Sequence, residues 1–297
     1  MNLNTYLRQR FGKKLYKLSI NAGLTCPNRD GTCGDKGCIF CSGTGSGDFA
    51  PDPSLSVTKQ LDLAKEKIAA KLPKGDSGFI AYFQAFTNTY APVGVLKGLY
   101  TEAASYPGVE VVSIATRPDC LGEDVLDLIS GIDRIKPVWI ELGLQTIHEK
   151  SAEYIRRGYP LSVYDKAVAD LGKRGIETIV HVILGLPGES RADMLETVRY
   201  VADSGVQGIK LQMLHVLKGT DLADDYLAGK FEVMTLEEYA DLIDDCLAIL
   251  PDDMVVHRIT GDGAKKLLIA PLWSADKKRV LNYLNRHREP FISMTDV

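Results

Sequence analysis

Cysteine spacing near the amino end of the chain is the strongest chemical signal in the sequence. The chain carries six cysteines, and four of them fall within one short segment, TCPNRDGTCGDKGCIFC. Within it, Cys38 and Cys41 form a CxxC pair whose two thiolates can reach one metal centre. Cys26 precedes the pair by a stretch of proline, asparagine, aspartate and glycine, which are turn formers that let a loop fold back on itself. The segment therefore predicts a metal-binding loop.

Two kinds of inorganic site compete for this loop. Four thiolates, with Cys33 as the fourth, could close a structural zinc site, but such sites normally use two closely spaced pairs and this loop has one. Three thiolates could instead hold an iron–sulfur cluster and leave one iron open. The spacing favours the cluster, followed by zinc, and then by a disulfide, a redox pair or a chance cysteine-rich loop. Cys246 lies in an apolar helical run typical of a core residue, and Cys120 follows a turn, so neither is assigned a role.

The elements that must position this loop can be predicted from the apolar runs. From Gly78 onward, short runs alternate with amphipathic helical stretches. In these runs both odd- and even-numbered positions are apolar, as expected for parallel strands buried on both faces. The predicted strands are 79–84, 109–115, 138–144, 178–184, 209–214 and 254–258. This alternation predicts an α/β fold with a parallel sheet, and six units rather than eight predict a partial (β/α)6 TIM-like barrel.

A single domain is expected over residues 1–297, because no shift in composition marks a boundary. Residues 1–50 are expected to form an N-terminal segment that carries the cysteine loop. Residues 78–260 are expected to hold the barrel core, and residues 261–297 a C-terminal helical extension.

Helix boundaries are indicated at several points. Helices are predicted over residues 54–72 and, packed outside the barrel, over residues 274–287. A capping box places a hydroxyl residue three positions before an acidic one at a helix start. Two such patterns occur, at Ser162 with Asp165 and at Thr235 with Glu238.

Polar residues collect where the predicted strands end. In β/α barrels the active site lies at the carboxyl ends of the strands, so these clusters are expected to converge on one mouth. They include Gln84, Thr87, Asn88, Arg117, Asp119, Glu141, Gln145, residues 185–189, Gln212, His215, His257 and Arg258.

The charge balance excludes a general attraction to nucleic acid. The chain has 35 lysines and arginines against 39 acidic residues, a net charge of −4, so any RNA contact would need a local basic patch. Candidate basic residues are Arg8, Arg10, Lys13, Lys14, Lys17, Arg156, Arg157, Lys277, Lys278, Arg279, Arg286 and Arg288. No apolar stretch is long enough to span a bilayer and no signal peptide is recognised, so we expect a cytoplasmic protein with reduced cysteines.

Taken in order along the chain, the motifs resemble a known family. The segments LSINAGLTCPNRDGT and KGCIFC are similar to the start of radical S-adenosylmethionine (SAM) proteins of the YhcC/YtqA type, which group with the Elongator catalytic subunit. The resemblance continues through QAFTNTYAP, ATRPDC, IELGLQT, HVILGLPGE and HRITGDG, and so covers nearly the whole chain. It implies a [4Fe–4S] cluster held by Cys26, Cys38 and Cys41, whose open iron binds SAM. Reductive cleavage of SAM would release a 5′-deoxyadenosyl radical, and Cys33 has no expected role.

The same resemblance implies a set of contacts to SAM. The residues are Gln84, Thr87, Asn88, Glu141, Gln145, Arg157, His181 and Gly185. Gln145 would contact the ribose region, His181 would face the ribose hydroxyls, and Arg157 would pair with the SAM carboxylate through its guanidinium fork. Gly185 belongs to a loop that would pass close to adenine, where glycine permits backbone approach. Without the resemblance, His181 is typical of a core histidine and Glu141 of a hydrogen-bonded cap on a barrel layer.

The substrate is implied by the resemblance alone. Relatives of the YtqA type are associated with the wobble uridine of tRNA, so the implied reaction is radical modification of a carboxymethylaminomethyl-type side chain on that uridine. A reductase such as flavodoxin or ferredoxin would donate the electron, and neither a membrane nor DNA is expected as a partner. Two rival functions stay open: a radical SAM enzyme that acts on a small metabolite, and a non-enzymatic zinc-loop protein that acts as an interaction module.

Overall fold

A parallel sheet of seven strands forms the centre of the molecule. The computed structural model describes residues 1–45, 50–72, 77–261 and 263–285. The strands are β1 (Leu15–Ile20), β2 (Gly78–Phe83), β3 (Val109–Thr116), β4 (Val138–Gln145), β5 (Glu177–Leu184), β6 (Gly208–Met213), β7 (Val216–Leu217), β8 (Val255–Arg258) and β9 (Leu268–Ala270). The large sheet has the order β1-β2-β3-β4-β5-β6-β8, while β7 and β9 form a separate antiparallel ladder.

Helices occupy every crossover between neighbouring strands of the large sheet, because a parallel pair requires a long return connection. The helices are α1 (Leu3–Phe11), α2 (Val57–Ile68), α3 (Val93–Ser105), α4 (Glu123–Asp133), α5 (Glu149–Tyr154), α6 (Leu161–Lys173), α7 (Arg191–Asp203), α8 (Asp221–Leu227), α9 (Leu236–Ile249) and α10 (Lys277–Asn285). None of the helices in the described residues is both long and apolar enough to cross a membrane.

The six predicted strands are all confirmed, and they form the partial barrel as β2 to β6 and β8. The structure adds β1, which pairs in parallel with β2 at one edge of the sheet. The barrel therefore begins at Leu15, and the expectation that its core starts at residue 78 is corrected. The residues expected to form a purely helical C-terminal extension also include the short strand β9.

The sequence of β1 explains why it escaped prediction. Its residues LYKLSI include Lys17 and Ser19, so the segment lacks the continuous apolar run that marks the inner strands. β1 has a strand neighbour on one side only, and half of its residues are partly exposed. Polar side chains are more readily accommodated on an edge strand, which has no strand neighbour on one side.

Helix starts were predicted with mixed success. The capping box of Thr235 with Glu238 is confirmed at the start of α9. The one proposed for Ser162 is wrong, because α6 already begins at Leu161 after Pro160 and has no side-chain cap. Proline fixes the backbone there without needing a capping hydroxyl.

Two predicted helix ranges also change. The helix expected over 54–72 is α2, which begins after its cap Ser56 and ends at Ile68 before a short 3₁₀ turn. The helix expected over 274–287 is α10, which begins at Lys277, and the last residues of the expected range lie outside the described residues.

An apolar plug closes the amino end of the barrel. Leu7 of α1 packs against Leu15, Ile80, Trp139 and neighbouring residues from the first halves of the strands. Fully burying one such side chain contributes roughly 1.5–3 kcal/mol, so this layer is a strong seal. The open end of the barrel is therefore the carboxyl end of the strands, where the predicted site residues lie.

Candidate functional site

A cavity of about 300 Å³ lies at the carboxyl ends of the strands. Its wall includes the three predicted metal ligands, Cys26, Cys38 and Cys41. It also includes six of the eight predicted SAM contacts, namely Gln84, Thr87, Glu141, Gln145, Arg157 and His181. The fold thus brings together residues that are spread over more than half of the sequence.

Two polar side chains shape the cysteine loop, and sequence reasoning missed both. The Nδ2 of Asn28 donates to the carbonyl of Arg156 at 2.6 Å and lies 3.4 Å from the Sγ of Cys38. The Nη2 of Arg29 donates to the carbonyls of Cys41 at 3.0 Å and of Ser42 at 2.7 Å. These bonds fold the loop over the strand ends and hold its sulfur atoms against the cavity.

The thiols of the loop suit a large metal centre. Burial raises the pKa of the Cys38 thiol to about 11, and the neighbouring Cys41 adds to the rise, so the thiolate needs a cation to form. Among the described residues, the sulfur atoms of Cys26, Cys38 and Cys41 do not all lie within 4.8 Å of one another. One zinc ion with Zn–S distances of about 2.3 Å would draw its sulfur ligands closer than that. Cys33 is exposed and does not line the cavity.

Two glutamine side chains beside the loop have hydrogen-bonding atoms without a protein partner. The Nε2 of Gln84 and the Oε1 of Gln145 are buried, and neither has a partner among the described residues. An unpaired buried amide atom costs about 1–3 kcal/mol, so such atoms mark a place for a polar ligand. Gln145 also has a left-handed backbone, with φ 70°, which turns the chain at the end of β4. The pair fits a polar molecule such as SAM.

Two predicted SAM contacts do not line the cavity. Asn88 is fully buried, and its Nδ2 donates to the carbonyl of Ala115 at 2.9 Å, so it ties the ends of β2 and β3 together. Gly185 has φ 89°, and a side chain at this position would lie 2.8 Å from the Cε of Met234. The glycine is therefore required by a tight turn, while Thr87 beside Asn88 does face the cavity.

Arg157 is buried and engaged with the protein. Its guanidinium donates to the carbonyls of Thr146 at 2.5 Å and Tyr159 at 3.0 Å, so it holds the turn that follows β4. Arg117 lies close by and binds both carboxylate oxygens of Asp119, at 2.9 and 2.7 Å. Both guanidinium groups lie over the ring of Tyr159, at 5.0 and 4.8 Å from its centroid. To bind the SAM carboxylate as predicted, the guanidinium of Arg157 would have to give up one of its hydrogen bonds to the protein.

Glu141 is the centre of a buried polar cluster in the barrel. Its Oε1 accepts from the Oγ of Ser113 at 2.8 Å and lies 3.5 Å from the Nζ of Lys17. Its Oε2 accepts from the Nε2 of His181 at 2.8 Å and from the ammonium group of Lys210. The four donors come from β3, β1, β5 and β6, so one carboxylate on β4 links five strands. Sequence reasoning missed Lys210, which lies inside an apolar run.

The charges in this cluster follow from burial and proximity. Burial alone would raise the pKa of Glu141, but the ammonium groups of Lys17 and Lys210 outweigh it and hold this pKa well below its ordinary value. Burial lowers the pKa of His181 to about 4, with Lys210 adding to the effect and Glu141 opposing it. Near pH 7 Glu141 is therefore ionised and His181 is neutral.

Five of the predicted basic residues are paired with acidic side chains. These ion pairs occupy the charged groups that would otherwise bind phosphate. The pairs are Arg10 with Glu177, Lys13 with Glu110, Lys17 with Glu141, Arg156 with Asp221 and Arg157 with Glu149. Arg157 and Lys17 also point into the barrel rather than outward. Arg286 and Arg288 lie outside the described residues.

A curved parallel sheet with three cysteines at its open end defines a class of enzyme scaffold, and comparison with known proteins identifies it. The model of the radical SAM superfamily matches residues 25–201, and that of the radical SAM C-terminal domain matches residues 206–289. The chain belongs to the radical SAM superfamily, whose members use a [4Fe–4S] cluster and SAM.

Similar proteins within the superfamily extend over nearly the full length. The chain is 45% identical to YtqA of Bacillus subtilis over 287 residues, which cover 97% of this chain and 88% of YtqA. It is 37% identical to YhcC of Escherichia coli, covering 95% of this chain and 91% of YhcC. A more distant relative is the tRNA uridine(34) acetyltransferase of Methanocaldococcus jannaschii, 25% identical over 59% of this chain and 32% of that protein.

Solved structures confirm the architecture. The archaeal Elp3 of Methanocaldococcus infernus superposes with a TM-score of 0.67 at 16% identity over 92% of this chain, which spans only 63% of the Elp3 chain. Coproporphyrinogen III oxidase (HemN) of E. coli gives a TM-score of 0.53 at 15% identity, over 84% of this chain and 55% of HemN. At these identities the likeness shows the radical SAM partial barrel and no more.

Proposed function

We propose that this protein is a radical SAM enzyme that modifies a carboxymethylaminomethyl-type side chain on the wobble uridine of tRNA. The observation that carries the radical SAM part is the convergence of Cys26, Cys38 and Cys41 on one cavity beside the unpaired amides of Gln84 and Gln145. When bound, the cluster and SAM supply a 5′-deoxyadenosyl radical that abstracts hydrogen from the substrate.

The chain itself binds, orients and protects. The three thiolates hold the cluster, and Asn28 and Arg29 keep their loop folded over the cavity. Gln84 and Gln145 offer a donor and an acceptor to SAM. The apolar plug closes the barrel beneath the cavity and keeps out water from that side.

The choice of tRNA is supported by the relatives. The M. jannaschii relative is named for uridine 34 of tRNA. A uridine must leave the base stack to enter a cavity of this size, and the aromatic rings of Tyr82 and Phe86 on the wall offer surfaces for stacking. The electron would come from a cytoplasmic reductase such as flavodoxin or ferredoxin, in the compartment that holds the tRNA.

The test compares tRNA nucleosides by mass spectrometry in three strains. One strain carries the gene, one lacks it, and one carries the Cys41→Ala variant in its place. We expect a carboxymethylaminomethyl-type uridine to accumulate, or its product to disappear, equally in the last two strains. Identical nucleoside profiles in all three strains would exclude this substrate.

A small metabolite is the second candidate. One observation favours it, because five of the twelve basic residues expected to bind RNA phosphates are paired with carboxylates. Under this alternative, the three strains have the same tRNA nucleosides, while the purified protein still cleaves SAM under dithionite. Their metabolite profiles would then differ, with the Cys41→Ala strain matching the strain without the gene.

A further inference from the structure

The amide of Gln212 has a forced orientation. Gln212 lies on β6 and lines the cavity, and its Nε2 lies 3.3 Å from the Nδ1 of His181. The Nε2 of the same imidazole lies 2.8 Å from the Oε2 of Glu141. The three side chains thus form a continuous line of hydrogen bonds from the buried cluster to the cavity wall.

The hydrogen bond between His181 and Glu141 fixes the donor and the acceptor in the bond between Gln212 and His181. Glu141 is ionised, so it can only accept, and the Nε2 of His181 must donate to it. A neutral imidazole has a single N–H, which leaves its Nδ1 as an acceptor. Gln212 must therefore donate its amide nitrogen to His181, and its Oε1 is turned away from the ring. The structure gives this oxygen no hydrogen-bond donor among the described residues.

The position of Gln212 separates it from the amides assigned to SAM. Gln84 and Gln145 lie at the ends of β2 and β4, next to the cysteine loop. On the cavity wall, Gln212 belongs with His215, Arg258, Gly261 and Gly263 from the C-terminal part of the chain. Gln212 lies on β6, one strand farther along the sheet from the cysteine loop than His181 on β5, so this part of the wall is available to the other reactant.

We propose that Gln212 is a substrate-recognition residue whose Oε1 accepts a hydrogen bond from an N–H or O–H group of the substrate. Glu141 and His181 are positioning residues that fix the amide, and this role replaces the SAM contacts that the resemblance implies for them, because both ring nitrogens of His181 are engaged. The inference rests on the proposed function and deepens it. A uracil base, whose ring carries an N–H donor, meets the requirement, whereas a group with acceptors only does not.

The test uses the reconstituted enzyme, SAM, dithionite and tRNA purified from a strain that lacks the gene. The measured quantity is 5′-deoxyadenosine formation as a function of tRNA and, separately, of SAM concentration. We expect Gln212→Leu to raise the tRNA concentration at half-saturation, or to lower the tRNA-stimulated rate, by about tenfold or more, with the half-saturating SAM concentration unchanged. Iron content and the thermal midpoint show that each variant is folded and loaded.

A second variant tests the positioning role. His181→Phe removes both ring nitrogens and frees the Gln212 amide to rotate, so we expect a smaller defect in the same direction. The double variant should be no worse than Gln212→Leu alone, because a positioning residue has nothing left to orient. Additive losses would contradict the proposed line of hydrogen bonds.

The outcomes separate the two proposals. If tRNA does not stimulate the unaltered enzyme, the proposed substrate fails and this inference fails with it. If tRNA stimulates the unaltered enzyme and Gln212→Leu equally, only the role of Gln212 is overturned. A shift in the SAM half-saturation alone would assign Gln212 to SAM and also overturn it.

Discussion

The mouth of the cavity and the Glu141 carboxylate differ in how completely their polar atoms are paired. At the mouth, the Nε2 of Gln84 and the Oε1 of Gln145 are buried without a partner among the described residues, and three thiols line the same cavity. In the cluster, Glu141 accepts from four side chains on four other strands. The mouth is thus built to be completed by other molecules, whereas the Glu141 carboxylate is already satisfied by the protein.

Backbone strain follows the same division. Phe86, Gln145 and Arg156 are residues other than glycine with positive φ, at 57°, 70° and 56°. Such conformations cost of order 1–3 kcal/mol each and persist where the surroundings impose them. All three lie at strand ends or turns around the cysteine loop, and none lies in the Glu141 cluster. Residues at the mouth of the cavity thus adopt backbone conformations that lower stability and shape the binding site. The Glu141 cluster beneath them holds the strands rigidly together.

The largest expected effect comes from a substitution in the cysteine loop, which alters the mouth of the cavity and leaves the Glu141 cluster intact. Cys41→Ala removes one of three thiolates, so we expect loss of the cluster and of 5′-deoxyadenosine formation. The urea midpoint of the metal-free variant should equal that of the metal-free unaltered protein. Iron and sulfide analysis after anaerobic reconstitution measures the loss.

Cys33→Ala is the matched control for this experiment. Cys33 belongs to the same loop but is exposed and outside the cavity. We expect its iron content to match that of the unaltered protein. Loss of iron from this variant would show that the assignment of three ligands is wrong.

The next largest effect is expected from a substitution in the Glu141 cluster. Lys210→Met removes a fully buried ammonium group and leaves Glu141 undercompensated, which should lower the free energy of unfolding by about 3–5 kcal/mol. Urea unfolding of the metal-free protein measures it. Lys17→Met should cost clearly less, because Lys17 is partly exposed and lies farther from the carboxylate. Equal losses would contradict the expectation that the closer and fully buried Lys210 contributes more to stability.

A pH series sharpens the comparison. The pKa of His181 is about 4 in the folded protein and near 6.5 when unfolded, so the unfolded state binds the proton first as pH falls. Stability from this group is complete above about pH 6.5 and is lost as pH falls towards 4, by about 2–3 kcal/mol. His181→Phe should flatten the dependence of the urea midpoint on pH in this window. An unchanged slope would mean that folding does not lower the pKa of His181.

The smallest effect sets a baseline away from both regions. Thr235→Ala removes the capping hydroxyl of α9 and should lower the free energy of unfolding by about 1 kcal/mol. Ser162→Ala should change it by less than about 0.5 kcal/mol, because Ser162 caps no helix. Thermal unfolding of the two variants side by side distinguishes them, and equal losses would restore the capping box at Ser162.

The mouth could be predicted from the sequence better than the cluster, and the reason is physical. Cysteine spacing and turn formers are local, so Cys26, Cys38 and Cys41 are recognised without knowledge of the fold. The partners of Glu141 come from β1, β3, β5 and β6, and their meeting depends on strand register, which no short segment specifies. Lys210 gives no signal at all, since one polar residue in an apolar run leaves the strand pattern intact.

Electron paramagnetic resonance of the reduced, reconstituted protein tests the central claim most directly. With three protein thiolates on the cluster, one iron is open, so addition of SAM should change the spectrum of the reduced cluster. The Cys33→Ala protein should respond in the same way. A spectrum that stays the same at saturating SAM would mean that a protein side chain already holds the fourth iron, and it would contradict the account.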